Sequence, residues 1–228
     1  MSGATPVGRV ALTFDAEHPD RPAPPGVAEQ LLELLDRLGV PATFFVQGRW
    51  AEAFPVAARR IVAAGHAVGS HSFYHARMPL LSDAGLASDV ATAERVLREI
   101  AGVDPRPWFR CPFGEGDDDP RIAAALARLG YANVGWDVVA EDWDPRRTAG
   151  QVEADVVAGA AAHGAGAVVL LHAWPERTHA AIPGIVRRLR DGGAELVRID
   201  ALGPLPATGP KWREFGGGCV SSPAAMSQ

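Results

Sequence analysis

Cysteine is scarce: Cys111 and Cys219 are the only two in 228 residues. They lie far apart and lack metal-type spacing, which argues against a disulfide framework. Positive charge is not clustered either. Twenty-two Lys and Arg stand against 27 Asp and Glu, for a net charge of −5, so nucleic acid and other polyanions are poor partners. No apolar stretch approaches the roughly 20 residues needed to span a bilayer, so no membrane partner is expected. The opening residues Met1-Ser2-Gly3-Ala4-Thr5 have neither the basic start nor the apolar run of a secretory leader. Read as a native start, they predict a cytoplasmic protein.

What is present is ordinary globular composition, 47% apolar and 21% charged, in a chain long enough for one sizeable core. Apolar, β-rich runs at 9–14, 42–46, 67–70, 108–111, 133–138, 167–171 and 195–199 alternate with amphipathic stretches. One helical face is formed by Leu31, Leu32, Leu34, Leu35 and Leu38. Five helical stretches run into a glycine (Gly39, Gly65, Gly102, Gly130, Gly164), the residue suited to the left-handed position past a helix end. Strict alternation implies parallel strands and right-handed crossovers. Seven strands predict a (β/α)7 barrel over residues 1–203. Residues 17–26, rich in proline and polar side chains, read as a loop over the barrel mouth. Residues 204–228 read as a surface-draped or flexible tail.

On such a barrel the C-terminal strand ends face one mouth. Those ends carry Asp15, His71, Arg110, Asp137 and His172. His71 and His75 are spaced i, i+4. If the turn after the third strand enters a helix, both rings lie on one face and can grip one metal ion. Two imidazoles and a carboxylate would leave a position open for water. Asp15 is either a cap for the following loop or a general base, and Arg110 would hold it fixed. His172 ends the most apolar run and is either a satisfied core residue or a general acid. Asp142 would orient its ring, or else cap a turn beside a packed Trp143. Trp50, Trp143 and Trp174 are either sugar-stacking walls or packing residues. His66 reads as structural, His163 and His179 as surface residues, and His18 as part of the mouth loop.

Together these residues resemble the polysaccharide deacetylase family, also called the NodB homology domain or carbohydrate esterase family 4, over roughly residues 8–202. Five motifs fall in order: Thr13-Phe14-Asp15-Ala16, His71-Ser72-Phe73-Tyr74-His75, Arg110-Cys111-Pro112-Phe113-Gly114, Asp142-Trp143 and Leu170-Leu171-His172. The resemblance implies a distorted βα-barrel, a divalent metal that is usually zinc, and hydrolysis of an N-acetyl or related amide on a sugar. It implies Asp15 as general base, Arg110 as its tether, His71 and His75 as metal ligands, and His172 as general acid steadied by Asp142. Pro112, Phe113, Trp143 and Trp174 are expected at the substrate. Two imidazoles and a carboxylate would take Zn2+, Co2+ or Ni2+.

One departure stands out. The family's second aspartate, its third ligand, is Ala16 here, and a methyl group cannot coordinate metal. Glu17 is the expected substitute, with Asp20 or His18 as alternatives; failing all three, the site is weak and activity is lost or changed. The expected substrate is an N-acetylated sugar or small amide. Two other readings compete: a cyclic or other non-sugar amide, as in the allantoinase-like branch, and a non-catalytic carbohydrate-binding barrel.

Overall fold

The computed structural model describes residues 8–21 and 24–202. The tail expected over 204–228 therefore lies outside the described residues. Strand β1 (Arg9–Ala16) is followed by α1 (Val27–Arg37), β2 (Thr43–Val46), α2 (Gly48–Ala53), α3 (Pro55–Ala63) and β3 (Ala67–Ser70). Then come α4 (Asp83–Ala101), β4 (Trp108–Phe109), α5 (Pro120–Arg128), β5 (Ala132–Asn133) and β6 (Val138–Val139). The described chain closes with α6 (Ala149–His163), β7 (Ala167–His172), α7 (Glu176–Asp191) and β8 (Glu195–Leu196). No helix among the described residues is long and apolar enough to cross a membrane.

The sheet runs in the order β5-β4-β3-β2-β1-β7-β6, with β8 pairing the start of β1. Every pairing is parallel. The curled sheet with helices around it is the distorted βα-barrel that the sequence predicts. Strand alternation sorts β1 into two faces. Val10, Leu12, Phe14 and Ala16 join the main core beneath the helices, whereas Ala11 packs with Phe45, Val134 and Ile199 inside the barrel. Asp15 follows the interior face, at the strand's C-terminal end. Helix α1 buries Leu31, Leu32 and Leu35 against the outer face. Each such leucine contributes about 1.5–3 kcal/mol on full burial.

The strand predicted over 133–138 is two short pieces. β5 lies beside β4 and β6 beside β7, at opposite ends of the sheet, so the barrel has an open seam between them. A side chain bonds the segment between them. Arg110 donates from Nε to the Val134 carbonyl at 3.1 Å and from Nη2 to the Gly135 carbonyl at 3.2 Å. Those carbonyls lie between the two short strands. The run at 108–111 is also shorter than predicted, because Pro112–Gly114 forms a 3₁₀ turn directly after it.

Candidate active site

Asp15 and Glu17 are two residues apart and both face the barrel mouth. Asp15 Oδ1 accepts from Arg110 Nη1 at 2.8 Å, a pair almost entirely closed to solvent. The guanidinium thus serves three oxygens at once while lying 3.9 Å above the Phe45 ring. A bidentate-capable, planar cation suits this task, and lysine would not.

His71 and His75 meet as expected, but not on a helix. The chain leaves β3 into a loop, and α4 begins only at Asp83. Ser72 (φ 66°) and His75 (φ 59°) take the left-handed conformation, which interrupts any helical path. Ser72 Oγ accepts the His75 N–H at 3.1 Å. Asp89, buried on α4, accepts the Phe73 and Tyr74 N–H groups at 3.0 Å each. The expected helical face is replaced by a turn held from beneath by a carboxylate. Only its position on α4, midway along an otherwise apolar buried face, could have marked Asp89 in the sequence.

Glu17 sits at the centre of the histidines. Its Oε2 lies 2.6 Å from His75 Nε2 and 3.2 Å from His71 Nε2. Its Oε1 lies 3.2 Å from His18 Nε2 and 3.8 Å from His172 Nε2. Burial pushes the Glu17 carboxyl up, yet hydrogen bonds from His71 and His75 and the charge on His172 outweigh it and hold the group far below the usual carboxylate range. His71 Nδ1–H donates to the Arg110 carbonyl at 2.9 Å, so its Nε2 is directed at Glu17. Burial disfavours charge on His71, but Asp15 and Glu17 overcome it and raise its pKa. His75 Nδ1 is buried with no partner among the described residues.

This donor set fits a cation. Two buried carboxylates and two inward-facing imidazole nitrogens favour positive charge at one point, and each ligand type is one that zinc-like ions accept. Donor atoms of Glu17, His18 and His75, and separately of Asp15, Glu17 and His172, fall within 4.8 Å of one another.

His172 ends β7 opposite Asp15 in register. Its Nδ1–H donates to Asp142 Oδ1 at 2.8 Å. Burial opposes charge on the ring, but the Asp142 carboxylate outweighs burial and raises the pKa to about 9. Thr178, which drew no attention in the sequence, donates its hydroxyl to Asp142 Oδ2 at 2.6 Å. Trp143 stands edge-on to His172, ring centroids 5.2 Å apart.

Asp15, Glu17, His18, His71, His75 and His172 line one cavity of about 290 Å3, walled by Phe113, Trp136, Trp143 and Leu170. Trp136, Leu170 and Arg21 were not anticipated there; Trp136 is placed by its approach to Gly114, which has no side chain to block it. Phe113 is half exposed and packs on His75 at 4.5 Å. Pro112 is buried in the turn behind it and does not line the cavity. Trp174 lies 6.1 Å from His172 and under the Arg21 guanidinium, outside the lining. Trp50 is core. Asp137 is also outside: its carboxylate accepts the Val168 N–H at 3.0 Å. Asp20 is exposed and paired with Arg49, which removes it as a ligand candidate. His66 is structural, accepting the Ala42 N–H. His179 is tied to the Ala173 carbonyl rather than free at the surface.

The sequence model of the family described as polysaccharide deacetylase matches residues 2–134. The chain belongs to the polysaccharide deacetylase family. Among its relatives is the peptidoglycan-N-acetylglucosamine deacetylase PgdA of Listeria monocytogenes, 33% identical over 194 residues. That match covers 85% of this chain and 38% of PgdA, so the chain spans well under half of that relative's length. A chitooligosaccharide deacetylase of Bradyrhizobium is 35% identical over 163 residues, covering 72% of this chain and 69% of the relative. A family 4 acetyl xylan esterase from Clostridium thermocellum, described in complex with a cobalt ion, superposes with a TM-score of 0.73 at 31% identity. It covers 85% of this chain and 89% of its own. The family's five motifs all border the one cavity or brace its residues, and the family expectation of a divalent metal agrees with the donor set.

Proposed function

We propose that this chain is a metal-dependent deacetylase that hydrolyses the N-acetyl amide of an amino sugar or a sugar-like substrate. One observation carries the reading: the Glu17 carboxylate lies between the Nε2 atoms of His71 and His75, in a chain whose usual ligand position is Ala16. Glu17, His71 and His75 would hold the ion, with Zn2+ favoured and Co2+ or Ni2+ acceptable to the same donors. When bound, a divalent ion supplies Lewis acidity at the acyl group and eases ionisation of water.

The chain's own residues do the rest. Asp15 takes the proton of the attacking water at Oδ2, because Oδ1 is engaged by Arg110. The water oxygen bonds to the acyl carbon and the carbon–nitrogen bond breaks. His172 Nε2 gives its proton to the departing nitrogen, while Asp142 fixes Nδ1. Acetate and a free amine result. Phe113 and Trp143, exposed at the mouth, offer faces for a sugar ring. The deacetylases among the relatives support an N-acetylated sugar.

The test pairs metal analysis with acetate release from N-acetylated chitooligosaccharides. About one divalent ion per chain and free acetate are expected. Acetate from acetylated xylan alone would replace the amide with an ester. A metal-loaded protein that releases acetate from neither would leave the non-sugar amide and binding-barrel readings in its place.

A further inference from the structure

His18 follows Glu17 directly, and its ring is turned into the same cavity. Its φ of 54° lies in the left-handed region, where a residue with a side chain is uncommon. Gln47, almost fully buried, holds this turn. Its Oε1 accepts the His18 N–H at 2.9 Å, and its own N–H donates to the Ala16 carbonyl at 3.0 Å. One residue of β2's following turn therefore clamps the chain on both sides of Glu17. The clamp delivers the His18 ring against His75, centroids 4.4 Å apart. His18 Nε2 then lies 3.2 Å from Glu17 Oε1, the oxygen that His71 and His75 leave free. A mouth-loop histidine without a task would face solvent on relaxed backbone; this side chain is only 29% exposed.

We propose that His18 is a further protein ligand of the cation held by Glu17, His71 and His75. The inference rests on the reading of those three residues as a metal site. The donor set becomes three imidazoles and one carboxylate, richer in nitrogen than two imidazoles and one carboxylate. Such a set favours borderline ions such as Zn2+, Co2+ and Ni2+ over Mg2+ and Ca2+, which prefer oxygen. With four protein donors, the ion would have to accept a fifth ligand for substrate to reach it. The mouth loop then has a direct part in the site: it contributes a donor beyond the Glu17 carboxylate that stands in for the aspartate absent at Ala16.

The test uses Co2+ alone as the probe, titrated into the full chain against a competing chelator, with the visible absorption of the bound ion recorded. His18→Asn is the informative variant, because asparagine tolerates φ > 0 while its short side chain removes Nε2. Affinity is expected to fall by about 100-fold or more, beyond the roughly 10–100-fold cost of disturbing an outer partner. The absorption bands should shift as a nitrogen donor is lost. Unchanged affinity overturns the proposal. So does weakened affinity with an unchanged spectrum, which marks a positioning residue. If His18→Asn is not folded by circular dichroism, His18→Gly, which takes φ > 0 without strain, decides by the same titration. Wild-type protein that binds no Co2+ removes the underlying metal site. Wild-type binding with an unaltered variant removes His18 alone.

Discussion

Asp142 holds His172 at two points. One carboxylate oxygen accepts from the ring Nδ1 and the other from the residue's own backbone N–H, both at 2.8 Å. Ring orientation and strand end are therefore fixed by one buried side chain, which Thr178 completes from α7.

This pairing sets the pH behaviour. As the proposed acid, His172 would act only when protonated, so activity should fall as pH rises through about 9. The stability gained from its raised pKa is complete below the ordinary histidine value and is lost over the same rise. Asp142→Asn should move the alkaline limb of kcat/KM down by about 1–3 pH units. A limb that stays in place after this substitution would assign the acid to another group.

Glu17 is predicted to be a direct ligand. Glu17→Ala should weaken Zn2+ or Co2+ binding by about 10–1000-fold, at or beyond the range of outer-partner losses. Equilibrium dialysis against a chelator measures it, and wild-type affinity in the variant would exclude the assignment.

Restoring the family's aspartate should fail. Ala16 is fully buried among Val46, Ala173 and their neighbours on the helix-facing side of β1, opposite to Asp15. Ala16→Asp should place a carboxylate in that core and destabilise the fold by on the order of 3 kcal/mol. Chemical denaturation tests this. A stable variant with tighter metal binding would show that the strand end can turn inward.

Asp89 should matter through the histidine loop. Asp89→Ala leaves two backbone N–H groups without their acceptor, at about 1–3 kcal/mol for a buried one. Metal affinity should fall by about 10–100-fold because His75 loses its support. Asp89→Glu, which keeps a carboxylate, should recover part of that affinity; equal losses in both variants would reduce Asp89 to a packing residue.

Much of this site could be read in the chain because barrel geometry converts strand ends into neighbours. Asp15, His71, Arg110 and His172 each close a β-rich run; three line the cavity and Arg110 lies behind Asp15. Asp137 obeys the same rule and fails it, because the run at 133–138 is not one strand. The interrupting segment is bonded by Arg110 across 24 and 25 residues, a tertiary contact with no local signature. The spacing of His71 and His75 was informative for the wrong local reason. Helix and left-handed turn both bring i and i+4 together, and the turn depends on Asp89, 14 residues beyond His75 in sequence. The five glycines past helix ends were legible because their requirement is local, and all five have positive φ. Glu17 was legible from chemistry, while strand alternation supplies the geometric reason: residues 15 and 17 share a face and residue 16 does not.

Arg110 ties the segment after β5 to Asp15, the carboxylate proposed to take the water's proton. Assembly and competence therefore have a single checkpoint. A chain in which that segment has come away also loses two of the three acceptors that hold the guanidinium against Asp15. Loosening at that edge should therefore be felt first at Asp15.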